Sequence, residues 1–92
     1  MSSASFFDTS ALVKRYYEEP GTEAVDSIIE GDATVVITSL SVIEAVSAFR
    51  RKQNTDDIPQ TTVNGLIGAF FREALAEFVI LPLHETLFER SF

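Results

Sequence analysis

Two carboxylates stand where a strand hands over to a helix. Asp8 follows the apolar pair Phe6–Phe7 and precedes Thr9 and Ser10 in the stretch FFDTSALVKRYYEEPG. Glu44 lies in SLSVIEAVSAFRRK, just beyond the β-branched run TVVIT. Hard divalent ions such as Mg²⁺ take oxygen ligands; they are often held by one or two carboxylates and keep waters and substrate phosphate oxygens in the remaining positions. Such an ion can generate a hydroxide nucleophile and stabilise the leaving oxygen in phosphodiester cleavage. A structural reading competes with this one. Asp8 can cap the helix that follows it. Ser41-x-x-Glu44 fits a capping box, in which the Glu reaches back to the cap amide. Negative charge also suits a helix N-terminus. What favours a joint site is that both acids fall at the same end of one sheet.

The elements that must position them can be read from periodicity. Ala4–Phe7 reads as a short strand and Ser10–Glu19 as a helix, with Leu12/Tyr16 and Val13/Tyr17 at i, i+4. Pro20–Gly21 ends that helix, and Thr22 caps a second one to about Glu30, with Val25, Ile28 and Ile29 inward. Thr34–Thr38 lacks polar alternation, which suits a strand buried on both faces of a parallel sheet. A helix from Ser39 or Ser41 to about Lys52 carries Val42, Ala45, Val46 and Phe49 as its apolar stripe, with Glu44 in its first turn. Asn54–Pro59 reads as a polar loop. Thr61 or Thr62 opens a helix to about Glu77, with Leu66, Ala69, Phe70 and Leu75 periodic. Gly65 and Gly68 inside it cost about 1 kcal/mol each relative to Ala, unless they permit close helix packing. Phe78–Leu81 is a third strand, Pro82 closes it, and His84–Arg90 begins another helix. The order β-α-α-β-α-α-β-α predicts a parallel sheet with helices on its faces. Function is expected beyond the carboxyl ends of the strands, where neighbouring first and second strands bring Asp8 and Glu44 to one cleft.

Composition narrows the classes. The 92 residues suit a single small domain, with eight Phe as bulky core material. The absence of Cys excludes a disulfide framework and thiolate metal sites. A net charge of −7 argues against non-specific nucleic-acid binding over the whole surface. It does not exclude a nuclease, whose metal site is itself acidic. The basic residues are partly clustered, as Lys14–Arg15 and Arg50–Arg51–Lys52; solvated helix surface and a substrate role are equal readings of both. No signal-peptide pattern is seen, and no apolar stretch approaches the ~20 residues of a membrane span. A cytoplasmic setting is the expectation.

Together, FFDTSALVKRYYEEPGTEAV and VITSLSVIEAVSAFRRK resemble the PIN-domain family, particularly VapC-like toxins. Members look like an apolar residue, then Asp-[Thr/Ser]-Ser-Ala-Leu, an apolar residue and Lys, with a later helix carrying Glu in a Ser-x-x-Glu-[small] context. Asp8 and Glu44 match the first two metal-binding acids, Ser10 the polar residue that assists the first, and Arg51 a loosely placed basic residue. The resemblance covers essentially all of residues 1–92. It implies a three-layer α/β fold with a parallel β-sheet of order 3-2-1-4-5 flanked by helices. It also implies a Mg²⁺- or Mn²⁺-dependent ribonuclease, often paired with an antitoxin and often dimeric.

The sequence departs from that pattern after the third strand. The family's further acids lie in a motif of the type Asp-Ala-x-x-His-Leu-Ala, and here only PLHETLFERSF follows. The expectation is a fold truncated after the third strand, with one edge of the first strand unpaired. Glu85 and Glu89 are weak substitutes as ligands, and a lone His84 says little. Three readings follow from this: the front of a metal-dependent ribonuclease, an inactive module that binds an antitoxin or partner chain, or an acidic domain whose carboxylates only cap helices.

Overall fold

The computed structural model describes residues 3–82. The chain runs β1 (Ala4–Phe6), α1 (Thr9–Tyr16), α2 (Thr22–Ile29), β2 (Thr34–Thr38), α3 (Ser39–Thr55), α4 (Gln60–Glu77) and β3 (Val79–Leu81). The helix expected over 84–90, with His84, Glu85 and Glu89, lies outside the described residues.

The strands pair in parallel in the order β1-β2-β3. Phe6 is in register with Val36, Val36 with Val79, and Thr38 with Leu81. The first and second strands are therefore neighbours. Phe7 lies just past the last ladder residue, yet its N–H still donates to the Val36 carbonyl at 3.0 Å. Val35, Val36 and Ile37 are consecutive and all buried, as a run without polar alternation requires. Both crossovers step across the sheet in the same direction, and right-handed connections then put their helices on one face. Val35 and Ile37 point into that layer, in one cluster with Leu12, Ala45, Phe49, Val63 and Phe70. The opposite face is more open. Phe6 is 72% exposed there, and Val79 and Leu81 43% each.

Local chemistry sets several boundaries differently from the periodic pattern. Helix α1 stops at Tyr16, because Tyr17 is already extended. The α2 cap is Gly21, at φ 100°, and not Thr22. The Thr22 hydroxyl is engaged elsewhere: it accepts from the Glu19 N–H at 2.9 Å and donates to the Lys14 carbonyl at 2.8 Å. Ile28 is 40% exposed, on the rim of the α2 layer. Helix α4 buries Val63, Ile67, Phe70 and Ala74, and leaves Leu75 78% exposed. This helix is apolar around much of its circumference, so contact with α3 selects the buried stripe where periodicity could not.

The close packing considered for the α4 glycines is not found. A Cβ at Gly65 would meet nothing within 4 Å, and one at Gly68 would meet only the Arg72 guanidinium, at 3.2 Å. Gly21 is different. Its φ favours glycine, and a Cβ there would press to 3.3 Å from the Lys14 side-chain carbons.

One guanidinium ties three helices together. Arg15 on α1 donates from Nε and Nη2 to the two Glu73 oxygens of α4, at 2.9 and 2.8 Å. Its Nη1 reaches Asp26 at 3.0 Å and Glu30 at 2.7 Å, in α2 and at its end. The Tyr16 hydroxyl donates to Glu73 at 2.9 Å. Hydrogen bonds from Arg15 hold the Glu73 carboxyl below its ordinary range, against the opposing effect of burial. Burial, then the bond to Glu73, raises the Tyr16 hydroxyl well above its own.

Gly65→Ala is expected to stabilise the protein by about 1 kcal/mol, since it gains helix propensity without a clash. Urea unfolding checks this, and a loss of stability would mean the space beside Gly65 is filled. Glu73→Gln is expected to cost stability at neutral pH and progressively less in acid. A carboxylate with a lowered pKa contributes fully above its ordinary value of 4.5, and that contribution drains as pH falls through the lowered one. Urea midpoints from about pH 7 to about pH 3 should show the two proteins converging; a constant gap would contradict the pairing.

Candidate active site

Asp8 leaves β1 with an extended backbone and caps α1. Its Oδ1 accepts from the Ala11 N–H at 2.9 Å. The capping reading therefore holds for one oxygen of an exposed carboxylate, which has a second to offer a ligand.

The capping box at Ser41–Glu44 does not form. Helix α3 starts directly after β2, and its cap is Thr38, whose Oγ1 accepts from the Ser41 N–H at 3.0 Å. Thr38 also donates to the buried Ser41 hydroxyl at 3.0 Å. The cap thus falls three residues upstream of Ser41, at the last extended residue that carries a hydroxyl. Glu44 consequently sits in the second turn of α3 and not the first, and the first turn holds no acid.

Glu44 is exposed and meets α1 instead. The Thr9 hydroxyl donates to Glu44 Oε1 at 3.3 Å. Thr9 is the residue after Asp8, so the two acids flank one threonine at the carboxyl ends of neighbouring strands. Ser10 follows, with its Oγ accepting from the Lys14 ammonium at 3.0 Å. A groove of about 440 Å³ runs from here between α1 and α3. Thr9, Ser10, Val13, Glu19, Ala48, Arg51, Lys52 and Thr55 line it. Arg51 is exposed on its wall. On the other side of Asp8 a more apolar groove of about 550 Å³ is bounded by Phe6, Phe7, Ala11, Val25, Ile28 and Thr38.

The basic clusters divide by role. Arg15 is not solvated surface but the inter-helix clamp, and Lys52 is committed as well. The Lys52 ammonium lies 3.0 Å from Glu19, 3.7 Å from Asp56 and 4.2 Å from the centre of the Tyr17 ring. Burial works against its charge, but these pairs outweigh it and raise its pKa. Among the described residues Arg51 makes no ion pair.

The donor set around Thr9 consists of oxygens only. Among the described residues no group of three or more His, Cys, Asp or Glu side chains could enclose a metal ion. A cation here would rest on Asp8 and Glu44 with water completing its shell, which is the ordinary regime for Mg²⁺. Thr9 was the residue that sequence reasoning passed over. Its signal was adjacency: a hydroxyl next to a seam acid, on the first turn of a helix packed against the helix that carries the second acid.

In open parallel α/β sheets ligands bind beyond the carboxyl ends of the strands, and Asp8, Thr9 and Glu44 stand at that end. The family model for the PIN domain matches residues 5–92, and the chain belongs to that family. PIN domains are in general of nuclease type and use divalent metal ions. No curated protein and no solved structure gives a significant match. No helix among the described residues is long and apolar enough to cross a membrane.

The two acids are expected to differ in stability terms when no metal is present. Asp8→Ala should cost about 1 kcal/mol through the lost cap. Glu44→Ala, which removes no cap, should stay within about 0.5 kcal/mol. Chemical unfolding in a chelator measures both, and an equal cost for the two would make Glu44 a structural residue.

Proposed function

We propose that the chain carries a metal-dependent ribonuclease site of the VapC toxin type, in which Asp8 and Glu44 hold Mg²⁺ or Mn²⁺ against an RNA phosphodiester. The contact between Thr9 and Glu44 is the observation that carries this reading, because it draws the second acid to the residue beside the first. When bound, the ion supplies an activated water and charge stabilisation for the leaving oxygen. The protein's part is placement. Asp8 keeps one oxygen on the α1 cap, which fixes the direction of the other. Thr9 holds Glu44 as an outer partner, the kind of contact that orients a ligand. Ser10 and Arg51 support the substrate from the groove. The proposal includes a cytoplasmic setting.

A second reading is favoured by the open sheet face with exposed Phe6, Val79 and Leu81. Exposed apolar side chains at the two edge strands fit a protein partner, here an antitoxin or a second copy of the chain. On that reading the chain is a binding module without catalysis.

Asp8→Asn separates the two, since Asn caps a helix as well as Asp does but loses the charge a metal needs. Metal-dependent cleavage of single-stranded RNA is expected to vanish in Asp8→Asn and Glu44→Gln. It should fall about ten-fold or more in Thr9→Val. Wild-type protein that folds but cleaves no RNA with either metal would support the binding module. Unchanged cleavage in Asp8→Asn would remove Asp8 from the mechanism.

A further inference from the structure

We propose that Thr38 is a positioning residue for Glu44: by capping α3 it takes the one backbone N–H that would otherwise draw the Glu44 carboxylate away from Asp8. This rests on the reading of Glu44 as a metal ligand and adds what keeps that ligand in place.

Two caps overlap in the stretch TSLSVIE, residues 38–44. Thr38-x-x-Ser41 and Ser41-x-x-Glu44 each have the spacing of a cap and its third helical residue. They share one donor, the Ser41 N–H. In the structure it goes to Thr38 Oγ1 at 3.0 Å. In a capping box it would go to the Glu44 carboxylate, while the Ser41 hydroxyl accepted from the Glu44 N–H. The two arrangements exclude each other. With the first, α3 begins at Ser39 and Glu44 lies in the second turn, where it accepts from the Thr9 hydroxyl at 3.3 Å. With the second, α3 would begin after Ser41, and the carboxylate would fold back on its own helix end.

Little apolar packing guards the choice. Leu40, which would leave the helix, is already 45% exposed. What favours the upstream cap is a pair of hydroxyls. Thr38 Oγ1 also donates to Ser41 Oγ at 3.0 Å, and Ser41 is buried. The same two bonds engage the Thr38 hydroxyl, so its part is to place Glu44. A valine at position 38 would keep the branched shape that ends β2 but remove the acceptor. The cap at Ser41 would then be the better one, because serine far exceeds an aliphatic residue at that place.

The test pairs calorimetric Mn²⁺ titration of the full chain with amide hydrogen exchange in EDTA, followed by NMR. In a helix capped at Thr38 the Val42 and Ile43 N–H groups donate to carbonyls four residues back. In a helix capped at Ser41 they would be its first two amides, which have no partner within the helix. Thr38→Val is expected to weaken Mn²⁺ binding about ten-fold, as loss of an orienting contact behind a ligand does, and to speed exchange at Val42 and Ile43. Thr38→Ala should do the same. Thr38→Ser, which keeps the cap, should change neither quantity. Thermal unfolding confirms that each variant is folded. The deciding variant combines Thr38→Val with Ser41→Ala. Removing the competing cap should return most of the affinity and of the amide protection, although the protein gains no stability. A purely structural Thr38 predicts the reverse, since the second substitution takes away a further hydrogen-bonding group. Unchanged exchange in Thr38→Val, or a double variant that binds Mn²⁺ no better than the single one, overturns the proposal. Absence of Mn²⁺ binding in the wild type would instead sink the metal reading on which the proposal rests, and the exchange rates would still decide whether Thr38 sets the start of α3.

Discussion

Arg15 sits where three helices meet, and its guanidinium answers three carboxylates at once. Isolated surface ion pairs contribute little, but this arrangement is of the stronger kind. It is bidentate to Glu73, its side chain is only 18% exposed, and the Tyr16 hydroxyl adds a further donor. Tyr16 in turn packs edge-on against Phe49 and Phe70, at centroid distances of 6.0 and 5.4 Å. The end of α1 is thereby fixed to α2, α3 and α4 together. An eight-residue helix held at its last turn has little freedom left at its first, and the first turn is where Thr9 meets Glu44. The geometry of the candidate site is set from the far end of the helix.

Charge in this chain is allotted with the same economy. Acids outnumber bases fourteen to seven, yet among the described residues only Arg15 and Lys52 make ion pairs. Arg15 and Lys52 brace helices, whereas Arg51 lines the groove without an ion pair among the described residues. The acids divide too. Glu73, Asp26 and Glu30 serve Arg15, while among the described residues Glu44 makes no ion pair and accepts a long hydrogen bond from a neutral hydroxyl.

Much of the fold was legible in the sequence because the signals were local. TVVIT could only be a strand buried on both faces, and its limits were read to the residue. Pairing of the first two strands followed from topology alone. The misjudged features depend on tertiary contact or on competition between nearby caps. Thr38 and Ser41 both carry hydroxyls, and the chain direction after β2 chose Thr38, which moved Glu44 one turn along. The α4 stripe was ambiguous because apolar residues lie on both sides of it. Arg15 looked like a surface base, since its three partners lie 11, 15 and 58 positions away. Asp8 and Glu44 were nominated from type and position, but the threonine that touches Glu44 was not, because a hydroxyl has no pattern until its partner helix is placed.

The central claim is that Asp8 and Glu44 together hold one divalent cation. Calorimetric titration of the purified chain with Mn²⁺ tests it most directly, with Asp8→Asn and Glu44→Gln in parallel. The account predicts one site per chain, lost in either variant, because each carboxylate alone leaves the ion mostly to water. Equal Mn²⁺ binding by all three proteins, or none by the wild type, would contradict it, and the two acids would then be a helix cap and a bystander.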